Sequence, residues 1–486
     1  MTAPFALPWL LVVPLAGALA TLLVAQRWRA RVSLALLPLL WLAAFALLGD
    51  LAANGIRPYA LGGWGAPLGI ALVADGLALA MILLTTFVFS ACAVYAVGHP
   101  GGQGPGAFLW PVSWFLVAAL HSIWLAADIF NLYVGLELLG LAAVGLVALT
   151  GSAEALAAAL RYLLATLLGS LAYLLGVALL YAAGGSLALA DLAALAASGA
   201  MPRVALAFMT VGLILKSALF PLHAWLPPAH GGALSAVSAL LSALVVKASL
   251  YVLIRLWLAL GPPVTPLAAA NVLGALGTGA VLWGGWMAWR QTKLKYLVAY
   301  STVAQVGFLF LFFPLATGTA AAAARLAWDG TLLMLVSHAL AKAGMFLAAG
   351  NLVLAVGSPR IADLSGISRF RPLSLFSFGL AGMTLMGLPP SGGFTAKWLL
   401  LQSALASGQW WWLPVPILGG LLSAAYVFKV LRHAFVEGPK RDHFHSPSAA
   451  LELSALALAA ASVAIGMAAR VPLEWMRLGS PFGVTG

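Results

Sequence analysis

Charge is what this sequence has least of. Only 7% of its 486 residues are Asp, Glu, Lys or Arg, against 63% hydrophobic. A water-soluble protein carries roughly a quarter charged residues, so soluble folds are excluded. Acids are the scarcer sign, 12 against 24 Lys+Arg. The surplus of cations does not indicate nucleic acid, because no basic patch is interleaved with exposed aromatics. A single cysteine, Cys92, rules out an intrachain disulfide and reads as a small core residue in an apolar segment. No hydrophilic stretch is long enough for a soluble domain, and no tail is of low complexity. The glycines of GHPGGQGPG (98–106) follow no strand and precede no Lys-Ser/Thr, so they are not a phosphate loop.

What is present, end to end, is apolar runs of about 20 residues, the length that crosses a bilayer. The expected spans are 7–25, 32–52, 73–97, 108–127, 129–149, 156–183, 203–222, 234–260, 264–285, 294–316, 329–356, 374–408, 411–434 and 449–470. The fold class is therefore all-α, a polytopic membrane protein of about fourteen transmembrane helices forming one membrane domain over 1–486. The first run lacks a basic start, and Arg27, Arg29 and Arg31 follow it, which fits an uncleaved first helix. The eighteen tryptophans, GQWWWLP (408–414) among them, suit membrane interfaces.

Cations near helix ends set the expected orientation. Loops 1–2, 9–10, 11–12 and 13–14 hold thirteen: Arg27, Arg29, Arg31, Arg290, Lys293, Lys295, Arg360, Arg369, Arg371, Lys429, Arg432, Lys440 and Arg441. The even loops and termini hold six: Arg57, Arg203, Arg255, Arg325, Arg470 and Arg477. This places the odd loops in the cytoplasm and both termini outside, in an inner (cytoplasmic) membrane of prokaryotic type. The other five cations, Arg161, Lys216, Lys247, Lys342 and Lys397, fall within the expected spans.

The four lysines among them carry the functional argument. An ionised lysine in the bilayer costs roughly 3 kcal/mol on insertion scales and marks a functional site. Lys247 and Lys342 are too deep to reach the interface by snorkelling, and Glu137 lies mid-span in LYVGLELLGLAAVGL. Lys216 opens KSALFPLHAWLPPAH, where Pro221 and Pro227-Pro228 interrupt the seventh span. A second interruption, MGLPPSGGFTAKWLLL, sets Pro389-Pro390 and Gly392-Gly393 before Lys397 in the twelfth. Broken helices in the membrane are tolerated only where backbone is buried in protein or lines a cavity. Paired breaks in two halves of a chain point to inverted repeats, with the site at the breaks. The expected units are five helices each, 108–260 (segments 4–8) and 264–434 (segments 9–13). His338 and Lys342, four residues apart, share one face of segment 11. Lysines, a glutamate and a histidine in low dielectric, joined by water, make a proton path.

At these residues the chain resembles the antiporter-like, proton-conducting membrane subunits. That family includes three subunits of the complex I membrane arm and the large subunits of Mrp-type Na⁺/H⁺ antiporters and group 4 hydrogenases. The likeness rests on KSALFPLHAWLPPAH with SAVSALLSALVVKASLYVLIR, on KYLVAYSTVAQVGFL, SHALAKAGMFLAAG and LMGLPPSGGFTAKWLLL, and on ADGLALAM (74–81). It implies a hydrated polar axis in the membrane plane. Glu137 and Lys216 would be a coupled pair, Lys247 the connecting lysine, His338 and Lys342 a relay, and Lys397 the terminal lysine. His223, His230, Asp75 and Arg161 are possible accessory or proton-access residues. The chain departs from the family pattern at Pro228, where Asp is frequent, at Ala233-Leu234-Ser235 and at Arg161-Tyr162.

The resulting expectation is a proton-translocating subunit of a hetero-oligomeric membrane complex, moving H⁺ and exchanging Na⁺ if it is of the Mrp type. Within the family it could serve as the D-like member of an Mrp-type antiporter, in a complex I-like enzyme, or in a group 4 hydrogenase. No catalytic centre, metal site or cofactor is expected in this chain, so any redox chemistry would belong to partner subunits. His433, His443 and His445 lack a fourth ligand for a metal. A lipid-linked glycosyltransferase would need acidic motifs in an external loop, and the loops are short and nearly free of acids. A purely structural scaffold is the remaining alternative.

Overall fold

The computed structural model describes residues 6–64, 69–99, 108–195, 199–262, 264–437 and 448–482. Each of the fourteen expected segments is helical there, the seventh and twelfth in two pieces. The first six are α1 (Ala6–Leu23), α2 (Gln26–Asn54), α3 (Gly76–Gly98), α4 (Leu109–Leu125), α5 (Ile129–Ala148) and α6 (Ala153–Gly184). The broken α7a (Met201–Lys216) and α7b (Leu226–Gly232) lead to α8 (Ser235–Leu260), α9 (Leu267–Arg290) and α10 (Leu294–Ala316). Then come α11 (Ala321–Val356), α12a (Pro372–Met386), α12b (Gly392–Ala406), α13 (Pro414–Phe435) and α14 (Ala449–Met467). Eleven helices among the described residues are long and apolar enough to cross a membrane.

Two boundaries bear on the reading of the charges and of helix length. α2 begins at Gln26, so Arg27, Arg29 and Arg31 lie in its first turns and not in a loop. α11 begins at Ala321, because Ala321–Ala324 continue the helix ahead of residue 329. At 36 residues it is about 54 Å long at 1.5 Å per residue, more than a bilayer's ~30 Å hydrocarbon core. A short helix, α15 (Arg470–Met476), and a small antiparallel pair, β1 (Tyr59–Ala60) with β2 (Ala71–Leu72), were not anticipated.

The loops segregate by parity. At one end, Thr150 donates to Gly232 O, Leu294 N to Pro359 O and Gly366 N to Val436 O. These join loops 5–6, 7–8, 9–10, 11–12 and 13–14. At the other end, Leu72 bridges Ala126, Asp128 bridges Ala188, and Gly76 N donates to Leu478 O. At the first end, Lys295 Nζ, donating to Ala233 O, joins the 5–6 and 7–8 pair to the other three, so loops 5–6, 7–8, 9–10, 11–12 and 13–14 share one face of the bundle, as a chain that alternates across a membrane requires.

Packing is inverted relative to a soluble protein. α6 exposes Leu156, Leu160, Leu164, Leu168, Leu171 and Leu175, and buries Ala155, Ala159, Thr166, Gly169, Ser170 and Gly176. Lipid tails are as apolar as leucine, so small residues that let backbones approach drive association. α8 is buried along its whole length, and α10 and α11 nearly so. These three form the centre around which the other helices are arranged.

α6 crosses α7a with backbone nearly against backbone. A Cβ on Gly212 would stand 2.2 Å from Gly169 O, and one on Gly169 2.8 Å from Gly212 O. Gly212→Val is expected to cost about 2–3 kcal/mol, since backbone cannot move aside. Thermal unfolding in mild detergent measures it. Gly49→Ala, at a glycine with nothing within 4 Å, is expected to leave the transition in place.

Candidate functional site

The first buried cation stands where α7a stops. Lys216 is the last residue of α7a, and its Nζ lies 3.3 Å from Glu137 Oε1 and 2.8 Å from Thr166 Oγ1. Lys216 is 7% exposed. α5, α6 and α7a thus each place one group at this point. The breaker residues act as expected: Ala218 is left-handed (φ 53°), Phe220-Pro221 is a cis peptide, and the carbonyls of α7a find new donors. Trp225 Nε1 bonds Leu215 O at 2.9 Å, and its ring stacks on Tyr162 at 4.2 Å.

Lys247 sits on α8 just after a π-helical segment, Leu241–Val245. Its Nζ donates to Ser242 O. The widened turn sets that carbonyl toward the lysine, as π segments often do at functional sites. Ser242 Oγ meets Thr302 Oγ1 at 2.8 Å, tying α8 to α10. Lys342 Nζ on α11 donates to Ser301 Oγ at 2.6 Å and to Val298 O. Lys397, on α12b, donates back across the twelfth break to Leu385 O at 2.9 Å and Met386 O at 3.1 Å, with the Phe308 ring 4.7 Å below it. It caps α12a, where carbonyl groups and the helix dipole both favour a cation.

His338 is within electrostatic reach of Lys247, Lys342 and Lys397, and both its ring nitrogens are buried without a protein partner. His230 is closer to the centre than its place beside the seventh break suggested. It stacks on Phe346 at 4.7 Å and lies within reach of Lys342, Lys295 and Lys247. The structure therefore assembles Lys247, His338, Lys342, Lys397 and His230 in one buried region of α7b, α8, α10, α11 and α12b. Glu137 and Lys216 form a neighbouring pair.

The three remaining accessory candidates stand in other surroundings. Arg161 is exposed on the outer face of α6 and makes no hydrogen bond or ion pair to the axis. The expected span put it inside the membrane segment but could not tell which face it occupied. His223 packs on Phe220 at 5.7 Å and edge-on to Tyr300 at 6.3 Å. Asp75 caps α3, accepting from Ala78 N at 2.9 Å, and clasps Arg255 through two bonds of 2.5 and 2.6 Å. Arg255 also reaches Tyr251 Oη at 2.9 Å, whose hydroxyl bonds Trp124 O. Asp128 caps α5. No metal-binding cluster occurs among the described residues, and His443 and His445 lie outside them.

Sequence reading missed several partners. Thr166, Ser242, Ser301 and Gln305 supply the oxygens and amide around the lysines. Gln305 Nε2 bonds Leu385 O and Ser423 Oγ, both at 3.1 Å. Polar residues on otherwise apolar helices were the available signal. Asp329, only 3% exposed, pairs with Arg477 of the segment after α15. Asp329 holds the Arg477 guanidinium above its ordinary pKa through that bond. Nothing local in the sequence joins residues so far apart.

The profile described as "NADH:quinone oxidoreductase/Mrp antiporter, TM" matches residues 126–423. The N subunit of the NADH-quinone oxidoreductase of Desulforudis audaxviator is 39% identical over 391 residues, 78% of this chain and 75% of that one. The D-type subunit of the Na(+)/H(+) antiporter of Alkalihalophilus pseudofirmus is 29% identical over 394 residues, 79% of this chain and 77% of that one. A chain of the Mrp complex from Dietzia sp. DQ12-45-1b superposes with a TM-score of 0.88 at 26% identity, covering 98% of this chain and 96% of that one.

Asp75→Asn keeps an acceptor for the α3 cap but removes the carboxylate from Arg255. It is expected to lower stability by about 2–3 kcal/mol. A fall in the detergent melting transition, absent in Arg161→Gln, is the check.

Proposed function

We propose that this chain, which belongs to the NADH:quinone oxidoreductase/Mrp antiporter membrane family, is the proton-translocating, antiporter-like subunit of a multisubunit membrane complex. Protons pass along Glu137, Lys216, Lys247, His338, Lys342 and Lys397. The observation that carries this reading is Lys216 at the end of a broken helix, 3.3 Å from the carboxylate of Glu137. An ammonium facing a carboxylate keeps its proton. Drawn away from it in low dielectric, the same ammonium loses that support and passes the proton inward. Lys247 is the next acceptor, and the open nitrogens of His338 suit a water-linked relay to Lys342 and Lys397. His230 joins this relay.

The two five-helix units, 108–260 and 264–434, are proposed as inverted repeats. Each has a broken fourth helix with a buried lysine beside the break, Lys216 and Lys397. The loop face bearing Arg290, Lys293, Arg360 and Arg369 is proposed to be cytoplasmic, with both termini outside. A phosphatase reporter that works only outside the membrane, fused after residue 486, is expected to be active. The same reporter after residue 365 is expected to be silent.

Proton flux through the assembled complex in proteoliposomes tests the path. Lys216→Met and Glu137→Gln are each expected to reduce flux on the order of 100-fold with assembly intact, the scale of losing a proton-transfer group. Unchanged flux in both would return the chain to a scaffold. Copurification from native membranes identifies the complex. Iron–sulfur with flavin or nickel–iron subunits mean a redox-driven pump. Small hydrophobic partners alone mean a cation/H⁺ antiporter.

A further inference from the structure

A groove that the proton axis does not use lies where the last turns of α9 and α13 meet. Its volume is about 940 Å³. Its walls include Trp289, Phe428 and Phe435, all exposed, and its rim carries Arg290, Lys429 and Arg432. Leu431 and Phe435 form a ridge, and beyond it a second, almost wholly apolar groove of about 700 Å³ runs between α12a and α13 past Phe376. Both volumes fall within the range of small-molecule sites.

The simple account of the cations is that they neutralise helix ends. Lys429 does so, donating to Trp289 O and Gln291 O at 2.7 Å each. Two helix C-termini, however, carry only about one negative charge between them. Three permanent cations therefore leave about two positive charges at the mouth of an apolar groove. Among the described residues no carboxylate pairs with Arg290, Lys429 or Arg432; the nearby Glu437 is taken by Arg369. Lys429 retains one donor beyond the two it uses. The depth is also telling: Trp286 and Trp289 pack together on the last turns of α9, as tryptophans do at a membrane interface. The positive rim thus stands at headgroup level, and the apolar walls run below it.

We propose that this double groove binds an anionic phospholipid. The phosphodiester lies between Arg290 and Arg432, near the free donor of Lys429. The acyl chains straddle the Leu431–Phe435 ridge, one in each groove. The site is independent of the proton path and stands whether or not the flux reading does.

The test uses the full chain, purified in mild detergent and equilibrated with equimolar phosphatidylglycerol and phosphatidylcholine, with bound lipid counted by native mass spectrometry. The wild-type protein is expected to retain phosphatidylglycerol over phosphatidylcholine. Arg290→Ala and Arg432→Ala are each expected to weaken that retention about fivefold, the ~1 kcal/mol that one basic side chain contributes beside an anionic membrane surface. The double variant is expected to lose about 25-fold. Arg27→Ala/Arg31→Ala, which removes two exposed cations from α2, is expected to bind as wild type, and a shared melting transition shows that all variants are folded. Equal retention of the two lipids by the wild type, or unchanged retention in the double variant, overturns the proposal. So does a photoreactive residue at Phe428 that captures a neighbouring protein of the assembled complex and not lipid.

Discussion

The structure turns on one constraint: an ammonium buried among helices must have oxygen around it. The four buried lysines meet it in different ways. Lys216 has a carboxylate and a hydroxyl. Lys247 has the Ser242 carbonyl at a π segment, Lys342 the Val298 carbonyl and the Ser301 hydroxyl, and Lys397 two carbonyls at a helix end. Only the first has a partner that can itself carry charge. The other three rest on fixed dipoles, which hold a proton without competing for it. This divides the axis into a pair whose Coulomb energy changes with separation and a series of sites whose environment is nearly constant.

The helix irregularities belong to the same constraint. A regular helix consumes its own carbonyls, and in lipid it must. The π segment of α8 and the break of α12 release carbonyls, and a lysine takes up each release. The break of α7 differs, because Trp225 and the turn amides cap the released groups. The Lys216 ammonium stays turned toward Glu137. Breaker residues and buried lysines, which look like two separate anomalies in the chain, are therefore halves of one arrangement.

Much of this was legible in the sequence because lipid leaves few choices. Span lengths, the two breaks and the depth of Glu137, Lys247 and Lys342 follow from hydropathy and from Pro and Gly placement. What was not legible depends on rotation about a helix axis. Arg161 and Lys216 look alike as cations in apolar spans, yet one faces outward and the other the interior. α6 turns its leucines outward, so hydrophobic periodicity does not mark the inner face. His230 seemed peripheral because it follows a break, but α7b folds it back against α11. Asp329 with Arg477, and Asp75 with Arg255, join segments far apart in the chain, which no local pattern records.

The last described residues close on some of the first. Leu478 O accepts from Gly76 N, the backbone at Gly76 lies against Trp475 so tightly that a Cβ would stand 1.8 Å from its carbonyl, and Arg477 reaches Asp329. At ~5–20 residues per second, ribosomal synthesis separates residue 76 from residue 478 by about 20–80 s. Through that interval the start of α3 has emerged without its final neighbour. The contact is a late stitch: it forms only once α15 has been made, and it fastens the first quarter of the chain to a segment about 400 residues further on.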